Sequence, residues 1–247
     1  MCIRDRSLRW PVPKSLIKRK LEKKKIESIK RRGKYLLLAS SNENLIIHLG
    51  MSGSLRIARE DNLKKHDHID ICFEDGTILR YCDPRRFGCF LWSKDLDTHF
   101  LLKNLGPEPL GNSFSGDYLF YKSRKRKVPI KNFIMNSKVV VGVGNIYASE
   151  ALFSAGIRPS CMAGKVPRKK YDLLAKEIVH ILRKSIEEGG TTLRDFVGGD
   201  SKPGYFKQSL RVYGREGEEC YECFSIIKGK RIGQRASAYC PKCQSIF

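Results

Sequence analysis

Two short cysteine pairs near the C-terminus, Cys220-Tyr-Glu-Cys223 and Cys240-Pro-Lys-Cys243, restrict this chain more than any other feature. Sixteen residues separate them, a spacing inside the window for a four-thiolate zinc site. Each pair sets two sulfurs on one tight knuckle, and two knuckles on a hairpin complete a tetrahedron. Two disulfides are the rival arrangement, but they require an oxidising compartment that nothing else in the chain supports. A closed site of four cysteines leaves no open coordination position, so one structural Zn2+ would hold shape and perform no chemistry. Between the pairs, Lys228 to Arg235 carries four cationic side chains and two glycines, a composition suited to a finger on a phosphate backbone.

Charge narrows the partner. The 247 residues hold 48 Lys and Arg against 26 Asp and Glu, a formal net charge of +22. Such an excess favours a polyanion, because neutralised phosphates release their counterions. Nucleic acid is the first candidate and an anionic membrane surface the second. No apolar run is long enough to span a bilayer, and the N-terminus shows no stretch of signal-peptide length, which predicts a cytosolic protein. The five remaining cysteines (Cys2, Cys72, Cys82, Cys89, Cys161) are scattered and read as ordinary free thiols.

Along the chain, Ser28 to Ser93 has a β pattern. Its apolar runs are Lys34 to Ala39, Asn44 to His48, Ser54 to Ala58, His68 to Phe73 and Thr77 to Cys82. Strands at such short spacing suggest an antiparallel sandwich or barrel. Leu105-Gly-Pro-Glu-Pro-Leu110 is a breaker cluster and a boundary. Beyond it, Ile146 to Ala155 and Asp172 to Glu188 read as helices, the second closed by Gly189-Gly190. Ile17 to Arg32 is dense in Lys and Arg and reads either as a solvated face or as a contact surface. In Val141-Gly-Val-Gly-Asn145 glycines precede a helix start; a phosphate site and a plain helix cap fit equally. Asp83-Pro-Arg85-Arg-Phe87 is a turn with two guanidiniums and a ring. It suits an enzyme that must fill the gap left by an extruded base, although a turn with a core phenylalanine explains it as simply.

Taken together, Arg32-Gly-Lys34-Tyr-Leu-Leu-Leu, His48-Leu-Gly-Met51-Ser-Gly-Ser-Leu-Arg56, His66-Asp-His68 and Tyr81-Cys-Asp-Pro-Arg85-Arg-Phe87-Gly resemble the formamidopyrimidine-DNA glycosylase family of bacteria. Leu105 to Leu110, Val141 to Glu150, Gly190-Thr-Thr-Leu-Arg-Asp, Lys202 to Phe206, Val212-Tyr-Gly-Arg and the cysteine pairs continue the resemblance in order. It implies an α+β protein in three parts. An N-terminal antiparallel β-sandwich spans residues 1–107, a helix–two-turn–helix domain 108–211, and a C-terminal zinc-ribbon β-hairpin 212–247. It further implies base excision repair on double-stranded DNA, removing 8-oxoguanine and formamidopyrimidines with strand cleavage by β- and δ-elimination. Lys34 matches the family's catalytic lysine of β-elimination, and Arg235 the finger arginine linked to δ-elimination and phosphate grip. Met51, Arg85 and Phe87 match the residues that fill the void of the flipped base. His66, Lys127, Lys131 and Asn145 match DNA contacts. Lys202, Pro203, Gly204, Tyr205 and Phe206 resemble the loop that closes over the extruded base.

The family's nucleophile is an N-terminal proline followed by a glutamate. Met1 to Arg6 resembles neither, which leads to the expectation of a truncated frame with six foreign residues, the family's first helix and strand missing. Such a chain would bind damaged DNA weakly or fold poorly, without normal excision. Pro11 and Pro13 cannot substitute, because an internal proline nitrogen is a delocalised amide. Two other functions share many of these features. One is the sister glycosylase for oxidised pyrimidines; the other is a non-catalytic zinc-ribbon protein that binds damaged DNA. A cytoplasmic, nucleoid-associated monomer completes the expectation.

Overall fold

The computed structural model describes residues 2–4, 7–59, 62–190 and 206–247. The expected lesion-loop residues Lys202, Pro203, Gly204 and Tyr205 lie outside that set, as does the side chain of Phe206. The chain divides into two compact units, residues 1–103 with 189–205 and residues 104–188 with 206–247.

The first unit contains two antiparallel four-stranded sheets. One runs in the order β1 (Cys2–Ile3), β6 (Asp67–Cys72), β7 (Ile78–Cys82), β5 (Ser54–Ala58). The other runs β2 (Ser28–Arg32), β3 (Tyr35–Ser40), β4 (Glu43–His48), β8 (Cys89–Ser93). Leu38, Leu45, Ile47, Ile69, Tyr81 and Phe90 are among the side chains of one core shared by these strands. β4 buries both of its faces, since Leu45, Ile46 and Ile47 are all fully covered. This explains why its sequence is a continuous apolar run rather than an alternation. Charged groups inside the first sheet are paired: Arg80, wholly buried, meets Asp70 through two 2.8 Å bonds. An unpaired guanidinium there would carry a prohibitive desolvation cost.

Two observations add to the reading of the N-terminal segment. Residues 2–4 are part of the fold. Cys2–Ile3 forms β1, with Cys2 opposite Asp70 and Ile3 opposite Ile69. Ile3 is buried, and Arg4 pairs with Asp70 at 2.7 Å. The basic stretch after Pro13 is also more than a charged surface, because it begins with helix α1 (Lys14–Leu21), whose Ile17 and Leu21 enter the core.

The second unit holds α2 (Gly116–Ser123), α3 (Ile130–Met135), α4 (Asn145–Ser154) and α5 (Arg168–Glu187), followed by the hairpin β9 (Lys228–Ile232) and β10 (Arg235–Tyr239). α5 shows why a helix forms: Tyr171, Leu174, Ala175, Ile178 and Ile181 recur on one face and are buried, with cations on the other. It ends where Gly189 takes φ +71°, a conformation costly for residues with a Cβ. The segment that leads toward the hairpin is tied to the helices by Glu150 of α4, whose buried carboxylate accepts from the backbone N–H of Arg211, Val212 and Tyr213 at 2.8, 3.1 and 2.7 Å. Gln244 adds a bond to Ile157 O at 2.8 Å.

Candidate nucleic-acid interface and zinc centre

In the first unit, one end of the β2–β3–β4–β8 sheet gathers four of the sequence-predicted residues, Lys34, Met51, Arg85 and Phe87. Arg32 pairs with Tyr35, Tyr35 with His48, and His48 with Cys89, so these four form one row across the sheet. Just beyond that row the chain makes three excursions. The first is the two-residue turn Gly33-Lys34, in which Gly33 takes φ +58° and leaves Lys34 exposed. The second is the loop after His48 carrying Met51, 63% exposed. The third is the turn before Cys89 carrying Arg85 and Phe87, the ring 42% exposed with the Arg85 guanidinium 4.8 Å from its centroid. Phe87 is thus not a core residue.

Asp83 holds the second and third of these together, a role that the sequence reading missed. It is fully buried. Its Oδ1 accepts from Ser52 Oγ at 3.0 Å and from Arg85 N–H at 3.3 Å. Its Oδ2 accepts from Tyr81 OH at 2.8 Å and from Gly88 N–H at 2.9 Å. Ser52 belongs to the Met51 loop, Arg85 and Gly88 to the Phe87 turn. Burial and the neighbouring carboxylate push the Tyr81 phenol far above its ordinary range, so it stays a donor. The loops also touch directly: a Cβ on Gly50, at φ +71°, would lie 2.6 Å from the backbone of Phe87 and Gly88. His66, half-buried at φ +74°, accepts through its carbonyl from Asp83 N–H at 3.1 Å.

His48 lies beside the Lys34 turn, its ring 4.9 Å from that of Tyr35. Burial, then the charges of Lys34 and Arg9, hold its pKa down to about 4. A neutral imidazole explains the geometry, because Nδ1 accepts from Gly50 N–H at 2.9 Å and so fixes the Met51 loop.

In the second unit, Arg235 is exposed directly after the hairpin turn, where Gly233 and Gln234 take φ +55° and +63°. A Cβ on Gly233 would meet Asn132 of α3 at 2.4 Å, so this glycine lets the hairpin tip lie against the helix. Asn145 donates to Ala236 O at 3.3 Å. It is the first residue of α4, whose N-cap is Gly144, so the turn does cap the helix, but through the glycine and not through the Asn145 side chain. Lys127 is exposed in the loop before α3. Lys131 is different: it is wholly buried, and its ammonium donates to Ala236 O at 3.0 Å and Ser237 Oγ at 2.7 Å. Burial and the charge of Arg235 lower its pKa to about 8. Its position makes it a pin between α3 and β10, with its charge turned inward.

The sulfurs of Cys220, Cys223, Cys240 and Cys243 all lie within 4.8 Å of one another. Cys220 and Cys243 are 3.9 Å apart, Cys223 and Cys240 3.4 Å. A tetrahedral zinc with bonds near 2.3 Å requires sulfurs about 3.8 Å apart, so the donor set fits. Cys243 N–H points at Cys240 Sγ at 3.3 Å, the knuckle bond that steadies a thiolate.

Fold and site define a strongly basic protein that joins a β-sandwich unit to a helical unit bearing a four-cysteine zinc ribbon. Family models for the formamidopyrimidine-DNA glycosylase N-terminal domain and H2TH domain match residues 1–90 and 105–197. The chain is 57% identical over 243 residues to a formamidopyrimidine-DNA glycosylase of Stutzerimonas stutzeri, covering 98% of this chain and 90% of that one. A Lactococcus lactis FPG variant in complex with Fapy-dG-containing DNA superposes with a TM-score of 0.87 at 34% identity, over 94% of this chain and 86% of that one. The MutM (FPG) protein of Thermus thermophilus gives 0.83 at 34% identity, over 91% and 84%. The chain belongs to the formamidopyrimidine-DNA glycosylase family.

Proposed function

We propose that this protein is a base-excision-repair DNA glycosylase and abasic-site lyase that acts on oxidised purines, 8-oxoguanine and formamidopyrimidines, in double-stranded DNA. One observation carries the reading: buried Asp83 fixes the Met51 and Phe87 loops at the same end of the sheet as the turn that exposes the Lys34 amine, which gathers an aromatic ring, a thioether and a guanidinium there. Extruding a base leaves a hole in the stack that must be refilled by stacking and hydrogen bonding. Phe87 and Met51 supply the apolar wedge, and Arg85, steadied over the Phe87 ring, supplies donors to the unpaired partner base. Lys34 acts at the exposed sugar in β-elimination. Arg235, Lys127 and Asn145 take phosphates, Arg235 also assisting δ-elimination, while Lys131 holds the hairpin that presents Arg235. His66 contacts the DNA beside the Phe87 turn. Lys202 to Tyr205, outside the described residues, and Phe206 match the family's loop for the extruded base. Zinc, when bound, supplies rigidity to the finger and no open coordination position. The protein works as a monomer on the bacterial nucleoid; among the described residues no helix is long and apolar enough to cross a membrane.

The test uses zinc-loaded protein and three duplexes: one with 8-oxoguanine, one with an oxidised pyrimidine, one undamaged. Tighter binding to the first, and loss of that margin in Phe87→Ala, supports the reading. Preference for the second duplex would move the protein to the oxidised-pyrimidine class. Equal binding to all three would leave a general DNA-binding protein.

A further inference from the structure

Residues 14–32 hold ten Lys and Arg against only Glu22 and Glu27. Within the fold, Lys20, Arg31 and Arg32 have partners. Lys20 reaches Glu43 at 2.7 Å. Lys14, Lys18, Arg19, Lys23, Lys24 and Lys25 have no side-chain ion pair or hydrogen bond among the described residues. All of these except half-buried Lys14 are exposed.

The arrangement is costly to the isolated protein. Lys14 stands in the first turn of α1, where the helix dipole favours anions, and that turn has neither an acidic residue nor a capping side chain. Lys14 and Lys18 repel at i,i+4 on the same face. Lys18, Arg19 and Lys20 lie in the last turn, where the dipole favours cations, so the strain falls on Lys14; the exposed cations named above lack an internal side-chain partner among the described residues, which leaves them to an external anion. Ser15, Lys18, Arg19, Glu22 and Lys23 border one shallow groove, in which three cations outnumber the single carboxylate.

The anion within reach is the duplex proposed for the Lys34 end of the sheet. α1 and the connection after it end beside the β3–β4 turn, where Lys20 meets Glu43 and Glu27 N–H meets Ala39 O at 2.9 Å. From there β2 runs the length of the sheet to the Lys34 turn, Ser28 opposite Ala39 and Arg32 opposite Tyr35. A five-residue strand spans about 17 Å, which corresponds to roughly five base pairs at 3.4 Å each for a duplex lying alongside β2.

We propose that α1 and the Lys23–Lys25 connection form a second DNA contact, a lesion-blind clamp on the sugar-phosphate backbone of the duplex flanking the damaged site. The inference rests on the DNA-binding reading above and adds a surface to it. α1 is about 12 Å long, enough to face three or four phosphates of one strand.

The test compares the wild-type chain with K18Q/R19Q/K23Q/K24Q on undamaged and 8-oxoguanine duplexes of about one and about three helical turns (~10 and ~30 bp). Affinity is measured across a salt series. On the long undamaged duplex the variant's slope of log K against log salt becomes shallower by about 2 to 3, near 0.9 for each phosphate lost. On the short duplex the change is smaller, and the ratio of lesion to undamaged affinity stays within about twofold of wild type. K18R/K23R/K24R retains the wild-type slope. An unchanged slope in a quadruple variant with a wild-type unfolding midpoint overturns the proposal, as does an equal loss on short and long duplexes. Absence of lesion preference in the wild type would instead refute the repair reading, while the slope on undamaged DNA still decides the clamp.

Discussion

Asp83→Asn exchanges one oxygen for an amide nitrogen and keeps the shape of the side chain. In the wild type both oxygens are occupied, Oδ1 by Ser52 Oγ and Arg85 N–H, Oδ2 by Tyr81 OH and Gly88 N–H. Whichever way the amide turns, its NH2 faces a backbone N–H that cannot reverse, at Arg85 or at Gly88. One charge-assisted bond becomes a donor–donor contact, and the remaining bonds lose their ionic character. Bonds to charged groups contribute about 1.5–3 kcal/mol against roughly 0.5–1.5 for neutral ones, so the substitution should cost about 2–4 kcal/mol. The sequence contains two tryptophans, Trp10 and Trp92, both in the first unit, so their fluorescence during urea unfolding reports that unit alone. The expected result is an earlier transition with unchanged slope, together with a reduced preference for the 8-oxoguanine duplex, because the Met51 and Phe87 loops lose their common anchor. A shift below about 0.5 kcal/mol with an intact preference would refute the reasoning.

Phe87→Ala, at an exposed ring, should leave that urea transition within about 0.5 kcal/mol of wild type while lowering lesion preference, as read by competition binding. His48 titrates near 4 when folded against an ordinary 6.5. The unfolded chain therefore takes up the proton first, and stability is full above pH 6.5 and falls as pH drops toward 4. For this partly exposed ring the loss is bounded by about 3 kcal/mol, and His48→Gln should flatten the acid limb of urea midpoint against pH. Glu150→Gln leaves one of three buried N–H groups facing an amide, so hydrogen exchange at Arg211, Val212 and Tyr213 should accelerate, with the tryptophan transition unmoved. Removing zinc with a chelator should melt residues 212–247, whose cluster around Phe153, Val212, Ile227 and Ala238 is too small to stand alone. Circular dichroism should follow the loss, and the sandwich transition should persist.

The strands were legible because half-buried or fully buried segments announce themselves: Asn44 to His48 and Ser54 to Ala58 were read almost to their ends. α1 was hidden, because only Ile17 and Leu21 mark its buried face among many cations. α2 and α3 are short and take their burial from the helices around them. Zinc-ligand spacing is a local property, so the four cysteines were plain. Asp83 and Glu150 were not recognised as anchors, since both act on partners distant in sequence or on backbone groups; a carboxylate inside the apolar run Asn145 to Ser154 was the one available hint. Lys131 looked like a surface cation for the opposite reason, that burial by a hairpin more than one hundred residues away leaves no trace in its neighbours.

The stacking wedge proposed for Met51 and Phe87 would distinguish a damaged purine from a sound one. The most direct measurement is a competition titration of the zinc-replete protein between a duplex holding one 8-oxoguanine and its undamaged twin, at a fixed physiological salt concentration. Preferential retention of the damaged duplex, diminished when Met51 and Phe87 are both alanine, is the predicted result. Identical retention of the two duplexes by the unmodified chain would contradict it.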